Sequence, residues 1–316
     1  MLQFIPMVHQ PYNTYSAYLN RLFGCRVQKI SLDAGLTCPN RDGTKGSGGC
    51  VYCDAKGSGS GAFSQVPSIR EQIIKGQRFL RKRYGAKKFL AYFQSFSNTY
   101  GPVEKLKALY LEALGVEDVV GISVGTRPDC ISPEILDLLA GIQQSTLVWV
   151  EYGLQSFHSQ TLCLINRGHT VEDFILAVEE TRKKNLNICV HVILGLPGEK
   201  MEDCLATARR LAEMDIQGLK LHSLYVNRGT VLEDWYRDGK VYLLNQDQYV
   251  DWACRFLEYC PPHWIIQRLT GDPKADQLVA PEWAMKKQET LKKIREWFAA
   301  TGSIQGAKYK PYSSDS

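Results

Sequence analysis

Apolar positions along the chain alternate between two rhythms. Short runs dense in Val, Ile, Leu, Tyr and Phe alternate with longer stretches whose apolar residues recur three or four positions apart. The strand-like runs are RVQKISLDA (26–34), KFLAYFQSF (88–96), VVGISVGT (119–126), LVWVEYGLQS (147–156), NICVHVILG (187–195), GLKLHSLYV (218–226) and WIIQRLTGD (264–272). Helical spacing fills residues 68–84, 103–114, 133–143, 170–184, 201–214 and 247–259, and a short amphipathic pattern at 16–23 precedes the first strand. The start TVED at Thr170 reads as a capping box, and SPEI at Ser132 puts proline at the first helical position. This alternation predicts an α/β fold of repeated βα units, a partial TIM barrel of about six units. Its chemistry then belongs at the C-terminal ends of the strands. The expected organisation is an N-terminal extension (1–24), a core (25–272), and a C-terminal region (273–316) comprising a loop, a charged helix and the tail YKPYSSDS.

Composition narrows the function classes. Of the 316 residues, 44% are hydrophobic, enough for a large core, and the net charge of +5 permits an anionic partner such as RNA without requiring one. The opening MLQFIPMVHQ lacks a basic segment followed by a long apolar run, and no stretch reaches the length of a membrane span. A cytoplasmic protein with no membrane partner is expected, and in that compartment the ten cysteines do not form a disulfide framework. Seven of them, Cys25, Cys130, Cys163, Cys189, Cys204, Cys254 and Cys260, are dispersed and read as small buried residues.

The other three cluster. Cys38, Cys50 and Cys53 lie in CPNRDGTKGSGGCVYC directly after the first strand, with spacing C-x11-C-x2-C. A structural zinc site takes four ligands, and the nearest downstream histidine is His158. Three cysteines with an open position suit a centre that binds something further, such as an iron–sulfur cluster with one iron free. A zinc loop completed by a remote His or Asp is the alternative.

Other polar residues fall at strand ends. Period two puts Glu151, Gly153 and Gln155 on one face of the fourth strand, where polar groups are costly unless they line a site. Arg127 and Asp129 after the third strand read equally as an ion pair or a substrate contact, and Cys130 beside them as a hydrogen donor or a buried thiol. His191 and His222 on successive strands are substrate-site candidates, although strand histidines are more often packing. Arg268 and Asp272 suit an anionic substrate and a donor group, or an ion pair that closes the barrel. Gly195, in VILGLPGE, permits close backbone approach of a ligand.

CVYC after a first strand resembles the signature of radical S-adenosylmethionine (SAM) enzymes. The gap of eleven departs from the familiar C-x3-C-x2-C and is similar to longer gaps in branches that include the Elongator catalytic subunit. The ordered set CPNRDG, AYFQSFSNTY, ISVGTRPDCI, WVEYGLQS, VILGLPGE and QRLTGD resembles the YhcC/YtqA (MnmL-like) family over roughly residues 10–305. That resemblance implies a radical SAM core in which Cys38, Cys50 and Cys53 hold a [4Fe–4S] cluster whose electron cleaves SAM to a 5′-deoxyadenosyl radical. It implies Tyr52 and Gly195 near the adenine, and Gln94, Ser95 and Asn98 near the methionine amino group. Gln155 and Arg167, twelve residues apart as in the oxygen-independent coproporphyrinogen oxidases, become SAM contacts, and Glu151 lies among them. A flavodoxin or ferredoxin is the implied electron donor. The implied reaction is modification of the tRNA wobble uridine, from 5-carboxymethylaminomethyluridine to 5-aminomethyluridine. A small-molecule or protein substrate, and a non-catalytic iron–sulfur partner protein, are the alternatives. Basic runs at 78–88 and 286–295, near Tyr84 and Trp283, fit RNA or simply a solvated helix face. Nothing in the sequence sets an oligomeric state.

Overall fold

The computed structural model describes residues 10–54, 57 and 68–311. Residues 1–9 of the N-terminal extension and 312–316 of the tail lie outside them. In chain order the elements are α1 (Tyr15–Phe23), β1 (Val27–Leu32), α2 (Ile69–Tyr84), β2 (Lys88–Phe93), α3 (Val103–Leu114), β3 (Val119–Thr126), α4 (Pro133–Gln143), β4 (Leu147–Gln155), α5 (Ser159–Leu164), α6 (Val171–Lys183) and β5 (Asn187–Leu194). There follow α7 (Met201–Ala212), β6 (Gly218–Ser223), β7 (Val226–Asn227), α8 (Val231–Arg237), α9 (Gln246–Tyr259), β8 (Ile265–Arg268), β9 (Leu278–Ala280) and α10 (Lys287–Thr301).

Seven strands form one parallel sheet in the order β1-β2-β3-β4-β5-β6-β8, and β7 pairs antiparallel with β9. Parallel strands covered on both faces read as dense apolar runs, and every residue of β2 after Lys88 is buried. The outer face, with Ile30, Phe93, Val124, Val150, Val190 and Leu221, packs under the helices. The expected caps form: Thr170 and Asp173 make the capping box of α6, and Ser132 accepts from Ile135 N ahead of Pro133. Among the described residues no helix is long and apolar enough to cross a membrane.

The sheet curls but does not close, because β1 and β8 are its edges and are not paired with each other. The N-terminal segment seals the bottom. Ile266 N donates to Asn13 O at 2.8 Å, and α1 sends Tyr15 and Leu19 inward against Val27, Leu90, Trp149, Cys189 and Ile265. Tyr15 and Tyr18 each meet Trp149 edge-on at 6.0 Å, a favoured aromatic geometry. The C-terminal segment secures the same corner: Gln305 Nε2 donates to Pro261 O and Trp264 O at 2.7 and 3.0 Å, and Asn13 N donates to Gln305 Oε1 at 2.9 Å.

Every expected strand except β3 is shorter than the pattern suggested, β6 and β8 among them. β6 stops at Ser223 because its partner β5 stops at Leu194, opposite it, and the chain then turns so that Val226 and Asn227 pair with β9. β8 stops at Arg268, opposite Lys220, the last residue of β6 with which it pairs.

Leu19→Ala removes apolar volume from the floor, where Leu19 is 3% exposed. The expected cost is about 2–5 kcal/mol, read as a lower urea midpoint at unchanged slope. An unchanged midpoint would show that α1 is not integral to the barrel.

Candidate active site

The residues after β1 form a tight loop. Arg41 N and Asp42 N donate to Cys38 O at 2.8 and 3.2 Å, Lys45 N to Pro39 O at 2.9 Å, and Gly49 N to Asn40 O at 2.9 Å. Reciprocal amide contacts then lock this loop to the corner after α5. Asn40 Nδ2 donates to Asn166 O at 2.6 Å, Asn166 Nδ2 donates to Gly49 O at 2.8 Å, and Val51 N donates to Ile165 O at 3.0 Å. Gly168 makes the approach possible, since a Cβ there would stand 2.6 Å from Asn40 Oδ1. From the turn after β3, Arg127 Nη1 donates to Arg167 O at 2.7 Å. Of the two readings for Arg127 and Asp129, the structure has the ion pair, with two contacts of 2.9 Å and Lys45 joining at 2.8 Å. Burial raises the Asp129 carboxyl, but Arg127 and Lys45 overcome it and bring the pKa to about 2.

These loops cover a cavity of about 260 Å³ at the C-terminal ends of the strands. Cys38, Cys50 and Cys53 all line it, with Tyr52 between the last two. Arg167 Nη1 lies 3.6 Å and Asn40 Nδ2 3.9 Å from Cys50 Sγ, so two N–H donors address one sulfur. A zinc ion draws four ligands to about 2.0–2.3 Å. Among the described residues no group of three or more His, Cys, Asp or Glu side chains is placed to hold a single ion. Three thiols around an open position, with N–H donors directed at one sulfur, are a donor set that suits a cluster with one iron free. His158 is engaged elsewhere, its Nε2 2.9 Å from Asp203 O.

Gln155 and Arg167 meet on the same wall. Gln155 has φ +79°, left-handed for a non-glycine residue, at a register shift between β4 and β5. Such strain persists where surrounding structure enforces it, and it commonly marks a working site. Arg167 is buried, and its Nε and Nη2 donate to Gly153 O at 3.2 and 2.6 Å. Gly153 leaves room for both, because a Cβ would fall 2.7 Å from Gln155 Nε2 and 2.8 Å from Arg167 Nη2 and displace these side-chain ends.

Below this level the inner wall carries charge. Glu151 is fully buried and receives Lys29 Nζ at 2.6 Å, His191 Nε2 at 2.9 Å, and Lys220 Nζ. Lys29 Nζ also donates to Gln267 Oε1 at 2.7 Å, which links the two unpaired sheet edges. Tyr92 packs its ring 4.8 Å from Lys29 Nζ and 4.1 Å from Lys220 Nζ. Burial opposes the Glu151 charge, yet Lys220, Lys29 and His191 hold its carboxyl well below the usual range. Burial lowers Lys220 to about 7 despite Glu151, and burial together with Lys220 lowers His191 to about 4. His222, its ring 5.3 Å from that of His191, is driven well below its ordinary value by burial and Arg268.

The expected residues therefore divide. The three cysteines, Tyr52, Gln94, Glu151, Gln155, Arg167, His191, His222, Arg268 and Asp272 share the cavity wall. Ser95 and Asn98 are buried beside it, and Asn98 Nδ2 donates to Ser95 O and Gly125 O at 3.1 and 2.9 Å. Cys130 is buried, its thiol pushed up to about 11 by burial and by Asp129. Gly195 has φ +81° and abuts Leu244, so a Cβ there would stand 2.9 Å from Leu244 Cγ. Sequence reasoning missed Lys29 and Lys220. Strand parity was the available signal, since Lys220 stands two residues before His222 and Lys29 two before Ser31.

Glu151→Gln leaves two ammonium groups without their counter-charge. Its expected cost is about 3–5 kcal/mol in urea unfolding, with part recovered by adding Lys220→Met. A neutral effect would contradict the ionic floor.

Comparison with known proteins gives a consistent picture. The chain matches the family model for the Radical SAM superfamily over residues 41–211 and that for the Radical_SAM C-terminal domain over 216–299. YtqA of Bacillus subtilis (strain 168) is 39% identical over 305 residues, 96% of this chain and 95% of that one. YhcC of Escherichia coli (strain K12) is 34% identical over 296 residues, 93% and 94% respectively. A tRNA uridine(34) acetyltransferase of Dehalococcoides mccartyi (strain CBDB1) is 34% identical over 157 residues, 48% of this chain and 33% of that one. The solved structure of an N-terminally truncated Elp3 from Methanocaldococcus infernus superposes with TM-score 0.68 at 16% identity over 88% of this chain. This chain spans 64% of that structure, less than two thirds, and the likeness is one of fold.

Proposed function

The chain belongs to the radical SAM superfamily and, within it, to the YhcC/YtqA family, and from that premise we propose that it modifies the wobble uridine of tRNA by radical chemistry. The superfamily implies an enzyme with a [4Fe–4S] cluster and SAM. When bound, this pair supplies a one-electron cleavage of SAM that yields a 5′-deoxyadenosyl radical able to abstract hydrogen. The observation that carries the reading is the convergence of three thiols, the Arg167 fork and the strained Gln155 on one cavity wall.

In this reading Cys38, Cys50 and Cys53 are the cluster ligands, and Arg167 and Asn40 steady the Cys50 thiolate by donating to its sulfur. Gln155 and Arg167 orient the methionine end of SAM, Gln94 assists from the end of β2, and Tyr52 shields the cluster from water and borders the adenine. The buried loop lock keeps solvent from the reacting atoms. A strained glutamine facing the cavity favours an enzyme over a non-catalytic partner, which has no need to maintain that strain. A reduced flavodoxin or ferredoxin supplies the electron.

The tRNA assignment rests on two supports: the family resemblance, and the partial similarity to a protein named for uridine 34 of tRNA. The reaction read from them converts 5-carboxymethylaminomethyluridine to 5-aminomethyluridine.

The test uses anaerobically reconstituted, reduced protein with tRNA from a strain lacking this gene. We expect 5′-deoxyadenosine together with a mass change at the wobble nucleoside. 5′-Deoxyadenosine without any nucleoside change would remove tRNA and keep the radical enzyme. Cys53→Ala is expected to lose both cluster absorbance and 5′-deoxyadenosine formation. Arg167→Lys is expected to assemble the cluster but to bind SAM about tenfold more weakly or worse, as the loss of a charge-assisted fork implies. Unchanged affinity would assign the carboxylate contact to another residue.

A further inference from the structure

The inner wall between the cysteine level and the floor has a cation left over. Lys29 and Lys220 converge on the single carboxylate of Glu151, while Arg268 stands apart on β8. Its nearest acidic group, Asp272, is 3.8 Å away, beyond hydrogen-bond length, and Asp272 is 58% exposed and shared with Lys287 at 3.6 Å. Among the described residues no hydrogen bond to the Arg268 guanidinium is formed, although it lines the cavity with His222 and Tyr225. The Nε2 of His222 is buried without a protein partner as well. A guanidinium offers five donors in a planar fork, and an unsatisfied buried group beside it calls for an explanation.

We propose that Arg268, with His222 and the Lys220 ammonium beneath, forms a subsite for a carboxylate carried by the substrate on a flexible arm. A planar monoanion matches the fork, whose nearest carboxylate stands at 3.8 Å and is shared with Lys287. Asp272, at the rim, accepts from an ammonium on the same arm. The carboxymethylaminomethyl group carries both features, a carboxylate one carbon from an amine, so the subsite deepens the functional reading above and rests on it. It also sets the geometry of the reaction: fixing the carboxylate on β8 holds the intervening carbon across the cavity from the wall of Gln155 and Arg167.

The probe is carboxyl-13C-labelled N-methylglycine, the end of that arm, added to cluster-loaded protein saturated with SAM and followed by line broadening in 13C NMR. Saturable broadening is expected in the unmodified protein, with affinity reduced about tenfold or more in Arg268→Gln and less in Arg268→Lys. Circular dichroism of both variants checks that they remain folded. Absent binding, equal binding by Arg268→Gln, or tighter competition by inorganic phosphate would each overturn the assignment. The functional reading fails separately, if the unmodified protein does not cleave SAM.

Discussion

A carboxylate buried at the centre of an unclosed barrel is the constraint around which this protein is arranged. Glu151 on β4 draws Lys29 from β1 and Lys220 from β6, and Lys29 reaches on to Gln267 of β8. The two sheet edges share no backbone ladder, so side-chain bonds across the interior and the aromatic plug of α1 take its place. Removing several charges from water is costly, and the arrangement holds because every ammonium has both a carboxylate and an aromatic face. Such a floor fixes the height at which a ligand must stop.

Above it the cavity is layered. Apolar packing and α1 form the base, the ionic layer lies next, and the thiols and Arg167 lie at the strand ends. Each layer is one step of strand parity above the last: Trp149, Glu151, Gly153 and Gln155 climb a single face of β4. Gly153 omits a side chain where the Arg167 fork must reach its carbonyl, and Gln155 departs from extended geometry directly above it. The reciprocal contacts of Asn40 and Asn166 then attach the cysteine loop to this wall, so the sulfurs are positioned by the barrel and not by the loop alone.

Much of this was legible in the sequence. The βα alternation predicted the sheet, and the cysteine spacing with the ordered motifs predicted the family. Period two identified Glu151, Gly153 and Gln155 as one inward face. Lys29 and Lys220 escaped notice because a lysine inside an apolar strand reads as an edge or snorkelling residue until its partner is known, and their common partner lies more than sixty residues from each. The loop lock escaped for a related reason: asparagine carries no distinctive spacing, and Asn40 meets Asn166 only once the barrel has formed. Strand ends were also overrun: Ser223 ends β6 where β5 ends, and Arg268 ends β8 at its last pairing, with Lys220, neither of which local pattern can reveal.

Electron paramagnetic resonance of anaerobically reconstituted, dithionite-reduced protein, recorded before and after SAM is added, tests most directly whether the cavity is a radical SAM site. The radical SAM reading predicts a reduced [4Fe–4S] signal whose g-values shift when SAM is added. A cluster spectrum that stays the same at saturating SAM, or no cluster at all, would contradict the account.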